Sequence, residues 1–118
     1  MIFRHDRALF ARAAEVAVGS SRLRVRVGAV VCKGHRTIAS AFNVPGDTPK
    51  VPHYLGHAER RVLGNARNNS TLYVARLGAY GGLMASRPCD ECWVAIELNG
   101  NIKNVVYWDG NEIVKEKV

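Results

Sequence analysis

Two short segments carry residue types that can hold a metal and move a proton. The first is His57-Ala58-Glu59, and the second, about thirty positions later, is Pro88-Cys89-Asp90-Glu91-Cys92. A closed structural zinc site uses four protein ligands, whereas a catalytic site keeps three and leaves one position to water. His57, Cys89 and Cys92 make three, so the pattern predicts an open Zn2+ site. Glu59 is then a spare carboxylate beside an activated water, the usual place for a general acid–base. Pro88 constrains the backbone entering the second segment. The bland alternative is a non-catalytic zinc-stabilised binding domain. It would require Glu59 to be an idle helix glutamate and the fourth coordination position to be blocked, and nothing in the sequence blocks it.

These segments need elements to hold them, and the pattern supplies them. Residues from Asp6 to about Val18 read as a helix with Asp6 as N-cap, because Leu9, Phe10, Ala13, Val16 and Ala17 recur at helical spacing. Val25 to Lys33 is rich in β-branched residues, and Gly34-His35 turns it into a second strand at about Thr37 to Phe42. Asn43 to Gly56 reads as a loop. A helix from about His57 to Arg67, a strand from Thr71 to Leu77 and a loop from Gly78 to Arg87 follow. Cys89 to Leu98 is the third helix, stopped by Asn99-Gly100, and Val105 to Trp108 and Ile113 to Val118 are the last strands. The sum is an α/β protein with a five-stranded mixed sheet. Only the short connection between Trp108 and Ile113, with its Asp109-Gly110-Asn111 turn, separates the last two strands, so they must run antiparallel, since a parallel pair needs a crossover of about a dozen residues. Both ligand segments fall at helix starts, where unpaired N–H groups favour thiolates at Cys89 and Cys92.

Composition narrows the classes further. A chain of 118 residues reads as one small domain, 1–118, and 47% hydrophobic against 23% charged residues is the balance of an ordinary globular protein. No apolar run has signal-peptide or membrane-spanning length, so no membrane partner is expected. Three cysteines cannot all pair and two sit at metal spacing, which points to a reduced, cytoplasmic setting. Seventeen Lys and Arg against ten acids give a formal charge of +7. That excess suits anionic partners such as nucleotides or nucleic acid, or serves solubility alone. Arg22, Arg24 and Arg26 alternate before the first strand, and Arg60, Arg61 and Arg67 follow the metal histidine.

The ordered pattern His-x-Glu then Pro-Cys-x-x-Cys is a recorded signature of zinc-dependent nucleobase deaminases. With Val27-Gly28-Ala29-Val30-Val31, Phe42-Asn43-Val44 and Thr71-Leu72-Tyr73-Val74, the chain resembles the cytidine deaminase-like superfamily over nearly its full length. The resemblance implies a three-layer α/β/α fold. Within the superfamily, antiparallel final strands are similar to the free-nucleoside branch and to toxin deaminases that act on nucleic acid. The resemblance also implies that Asn43 contacts a sugar, that the backbone at Ala58 approaches the base, and that Arg60 and Pro88 support the metal ligands. A homo-oligomer is implied too, because relatives often place a neighbour's loop over the site.

The function implied is hydrolytic deamination of a cytosine-type base in a free nucleoside or nucleotide. Zinc would activate the water and Glu59 would shuttle its proton to the ring nitrogen and the leaving ammonia. The alternative of the same chemistry is a deaminase of single-stranded DNA or RNA. Two departures matter. The metal histidine replaces the cysteine of compact nucleoside enzymes, and Pro45 stands where a sugar-binding acid usually follows Phe-Asn-Val. Other polar candidates read as structural: Cys32 as a small buried hydrophobe, His5 and His35 as surface residues, Trp93 as packing. His53 and Tyr54 would rim the pocket, and Trp108 and Tyr80 are the better stacking candidates.

Overall fold

The computed structural model describes residues 1–19, 25–44 and 57–118. In chain order the elements are α1 (Arg4–Val18), β1 (Arg26–Lys33), β2 (Arg36–Phe42), α2 (Ala58–Leu63), β3 (Ser70–Leu77), β4 (Leu83–Met84), α3 (Asp90–Asn99), β5 (Ile102–Trp108) and β6 (Ile113–Lys117). The long strands lie in the order β2-β1-β3-β5-β6, and β4 pairs onto β3. Strands β3 and β5 are parallel, and the other neighbours are antiparallel. The final hairpin is therefore antiparallel, as its short connection demands. Among the described residues no helix is long and apolar enough to cross a membrane.

Alternation along each strand divides the sheet between two cores. Ala29, Val31, Leu72, Val74, Val105 and Tyr107 pack with Ala58, Val62 and Leu63 of α2 and Ile96 of α3. The intervening Val30, Cys32, Tyr73, Ala75 and Val106 pack with Phe10 and Ala13 of α1. This gives the expected α/β/α layering. On the α1 side the helix comes so close to β1 that a Cβ on Gly28 would stand 2.0 Å from the Ala13 carbonyl oxygen. Only glycine fits there.

One buried carboxylate locks α1 onto the sheet. Asp6 accepts hydrogen bonds from the Phe3 N–H at 2.9 Å and the Tyr73 hydroxyl at 2.7 Å, and it pairs with Lys115 Nζ at 2.8 Å. Burial by itself would raise the Asp6 pKa, but the bonds from Lys115, Phe3 and Tyr73 outweigh it and hold the carboxyl below its ordinary range. Asp6 is thus the third residue of α1 rather than its N-cap. Phe3 takes the cap position, and Asp6 reaches back to its N–H.

Two other boundaries and the strand count differ from the sequence reading. Helix α2 ends at Leu63 rather than Arg67, with Gly64 as its C-cap. Strand β5 starts at Ile102 rather than Val105, because backbone pairing with β3 carries through the polar Lys103 and Asn104. The sheet has six strands rather than five. The addition is β4, inside the 78–87 segment read as loop, where Gly81 adopts a positive φ and the Gly78 N–H closes on the Gly82 carbonyl. Two residues are too few to show any periodicity.

Candidate metal centre and its cavity

The two ligand segments meet where helices begin. His57 is the N-cap of α2, Cys89 is the N-cap of α3, and both have extended backbone. Cys92 is the third residue of α3. N-cap and third-position side chains converge over a first turn, as they do in capping boxes. The Cys-x-x-Cys spacing therefore delivers both sulfurs to one side. At His57, φ −67° and ψ 139° interrupt the helical progression. Residues 57 and 59 thereby line one cavity, although a spacing of two within a helix would point them apart.

The three donor atoms are spaced for a tetrahedral ion. His57 Nδ1 lies 3.2 Å from Cys92 Sγ and 3.6 Å from Cys89 Sγ, and all three atoms lie within 4.8 Å of one another. Zinc bond lengths of about 2.0 Å to nitrogen and about 2.3 Å to sulfur would separate such atoms by roughly 3.5 Å. Donor type and spacing both fit Zn2+. Cys92 is fully buried and Cys89 is exposed, so the group is anchored on one side and open on the other.

Burial and charge act together on Cys92. Burial pushes the Cys92 thiol far up, and the charge of Glu59 and the neighbouring Cys89 push it further. A dication among the ligands acts in the opposite sense and favours the thiolate, as the start of α3 does. Arg60, half-buried on α2, acts on Cys92 in the opposite sense to Glu59 and favours the thiolate. That is the effect expected of a cation placed beside metal-bound sulfur.

A cavity of about 340 Å³ opens at His57 and Cys89. Helix α2 contributes Ala58 and Glu59 to its lining, the segment before α3 contributes Ser86 and Arg87, and the strands contribute Val27, Val74 and Arg76. Glu59 is only 6% exposed. Desolvation raises its carboxyl pKa, and a backbone N–H and the charge of Arg76 oppose that rise in part.

The Cys89 segment is held by two clamps. Ser86 Oγ donates to the Val74 carbonyl at 2.7 Å and accepts from the Trp108 N–H at 2.9 Å, so it stitches the segment between β3 and β5. Arg87 makes two bonds of 3.1 Å to the Glu116 carboxylate on β6, and Tyr107 donates to the same carboxylate at 2.7 Å. The Arg87 guanidinium also lies 4.3 Å above the Trp93 ring. Pro88, buried between Arg87 and Cys89, needs no hydrogen bond for its nitrogen.

Ala58 is fully buried and lines the cavity. Asn43 lines it too, but its Oδ1 accepts from the Val27 N–H at 2.9 Å and its Nδ2 donates to the Val25 carbonyl at 3.0 Å. It thereby pins the strand entering the cavity. Cys32 is buried, and His5 stacks on His35. Trp108 packs on the α1 side of the sheet and Tyr80 is fully exposed, so neither stacks in this cavity. Pro45, His53, Tyr54, Arg22 and Arg24 lie outside the described residues.

Ser86 and Arg76 are the cavity residues that sequence reasoning missed. A signal existed for Arg76: it falls in phase with Leu72 and Val74, a charge on the buried face of a core strand. Ser86 carried none, because its partners lie 12 and 22 positions away. Residues 4–109 match the family model for the cytidine and deoxycytidylate deaminase zinc-binding region. No curated protein and no solved structure matches the chain.

Proposed function

The chain belongs to the cytidine and deoxycytidylate deaminase zinc-binding family, whose cofactor is Zn2+, and we propose that it hydrolyses the exocyclic C–N bond of a cytosine-type base in a free nucleoside or nucleotide. The observation that carries this reading is Glu59: a buried carboxyl in the wall of a cavity that His57 and Cys89 also line. A structural zinc site would have no use for it. His57, Cys89 and Cys92 hold the ion, which when bound supplies the Lewis acidity that makes a water nucleophilic near neutral pH. Arg60 offsets part of the negative charge that the two sulfurs bring.

Glu59 does the proton work. Burial raises its pKa, which suits a group that must both take and return a proton. It takes a proton from the attacking water as oxygen bonds to the amine-bearing carbon, and it passes that proton to the adjacent ring nitrogen. It then carries the proton remaining on the oxygen to the amine as the C–N bond breaks. One water is consumed, one ammonia leaves, and the carbon becomes a carbonyl with no change in redox state. The Ala58 backbone approaches the base in this reading, and Asn43 faces the sugar.

Zinc-loaded wild type and Glu59→Ala, compared on cytidine, deoxycytidine, their monophosphates, adenosine and single-stranded DNA and RNA, test this by ammonia release. Wild type should act on the small cytosine substrates, and the variant should lose roughly a hundredfold or more while keeping its fold and metal. Full turnover by Glu59→Ala would end the mechanism. Turnover confined to polymers would favour the nucleic-acid reading, which the +7 charge and the Arg22, Arg24 and Arg26 run support.

A further inference from the structure

The cavity contains one polar group that this chemistry leaves unused. Arg76 lies on β3 in phase with Leu72 and Val74, on the α2 and α3 side of the sheet, and it lines the cavity beside Glu59. Its Nε is buried, with no hydrogen-bond partner among the described residues. A buried guanidinium N–H without an acceptor is rare and costly. Other polar side chains of the lining are already engaged: Ser86 with Val74 and Trp108, Arg87 with Glu116, and Asn43 with Val25 and Val27. Among the described residues, Arg76 Nε is the buried side-chain donor left without an acceptor.

The proposed reaction locates such an acceptor. Glu59 must reach the ring nitrogen next to the amine-bearing carbon. In a cytosine-type ring the carbon on the far side of that nitrogen bears the 2-oxo oxygen. In a 6-aminopurine the corresponding carbon bears only hydrogen. Arg76 and Glu59 line the same cavity. Resting on the deaminase reading, we propose that Arg76 donates to the 2-oxo oxygen of the base and selects 2-oxopyrimidines over aminopurines. Electron density pushed towards the ring nitrogen during water attack is shared with that oxygen, so the same bond strengthens as the reaction proceeds. A site built around such a donor also rejects rings that lack the acceptor.

The test compares wild type with Arg76→Met and Arg76→Lys, each checked by thermal melting. The substrates are cytidine, 2-thiocytidine (sulfur is a poor acceptor) and cytidine monophosphate. Binding of pyrimidin-2-one riboside, which lacks the amine, is measured calorimetrically on the same preparations. Arg76→Met should lower kcat/KM for cytidine and affinity for the riboside by roughly ten- to a hundredfold. Its preference for cytidine over the thio analogue should collapse, and Arg76→Lys should regain part of it. The ratio of cytidine to cytidine monophosphate should stay as in wild type. Equal losses on all substrates would make Arg76 structural, and a loss confined to the monophosphate would make it a phosphate anchor. Either result overturns the inference. Wild-type turnover with discrimination intact in Arg76→Met defeats this inference alone. A wild type that neither binds nor turns over cytosine substrates defeats the deaminase reading with it.

Discussion

Residues in this site matter through what they are joined to. Burial raises the pKa of both Glu59 and Cys92, the charge of Glu59 pushes Cys92 further up, and Arg76 and Arg60 pull back, one on each group. Ser86 shows the same point without charge. Its hydroxyl closes two backbone hydrogen bonds, to Val74 and Trp108, in a place with 4% exposure. Ser86→Ala leaves a buried carbonyl and a buried N–H each short of a partner. It should cost about 1–3 kcal/mol in chemical denaturation. It should also weaken zinc binding in a competition with a chromophoric chelator, since the segment leading to Cys89 loses its side-chain stitch to β3 and β5 and keeps only the Ser86 N–H bond to the Trp108 carbonyl. Unchanged zinc affinity would mean that the Arg87–Glu116 pair and the Ser86 backbone bond to Trp108 suffice to hold the segment.

Among the elements, α1 gives the plainest energetic test because one carboxylate fastens it to two strands. The bonds from Lys115, Phe3 and Tyr73 outweigh burial and place the folded pKa of Asp6 below its unfolded value of about 3.8. A depressed carboxyl contributes stability that is fully present above the unfolded pKa and is lost as pH falls through the folded one. Asp6→Asn should therefore cost on the order of 3 kcal/mol at neutral pH by denaturant titration. The gap from wild type should shrink below about pH 4. A pH-independent gap would show that packing, not charge, sets the effect. The elements themselves were largely legible: Leu9, Phe10, Ala13 and Ala17 mark α1 by spacing, and Asn99-Gly100 marks the end of α3, where Gly100 has φ 76°. What failed did so for local reasons. Asp6 looks like an N-cap because third-position carboxylates and caps sit three residues apart and bond the same terminus. Strand β4 was invisible because pairing to Arg76 and Leu77, not its own pattern, makes it a strand.

For the whole molecule, the metal site joins the starts of α2 and α3 across the face of the sheet, so metal binding should be linked to global stability. Anything that binds the folded state alone raises its stability with free concentration. Chelation of zinc should lower the melting temperature, by roughly 4 °C for each kcal/mol of linkage in a chain of this size. His57→Ala should melt at the same temperature with or without chelator. A melting temperature indifferent to chelation in wild type would mean that the triad is no metal site. Local pattern was enough for the ligand types, the spare carboxylate, the starts of α2 and α3 and the antiparallel final hairpin, because each depends on residues a few positions apart or on a connection too short for any other path. What surrounds them came from packing. Glu116 of β6 holds Arg87, Ser86 bridges β3 and β5, Asn43 ties down β1, and Arg76 enters the cavity beside Glu59. Those contacts join residues brought together by strand pairing and layer packing, and no local spacing encodes which distant neighbour a side chain will meet.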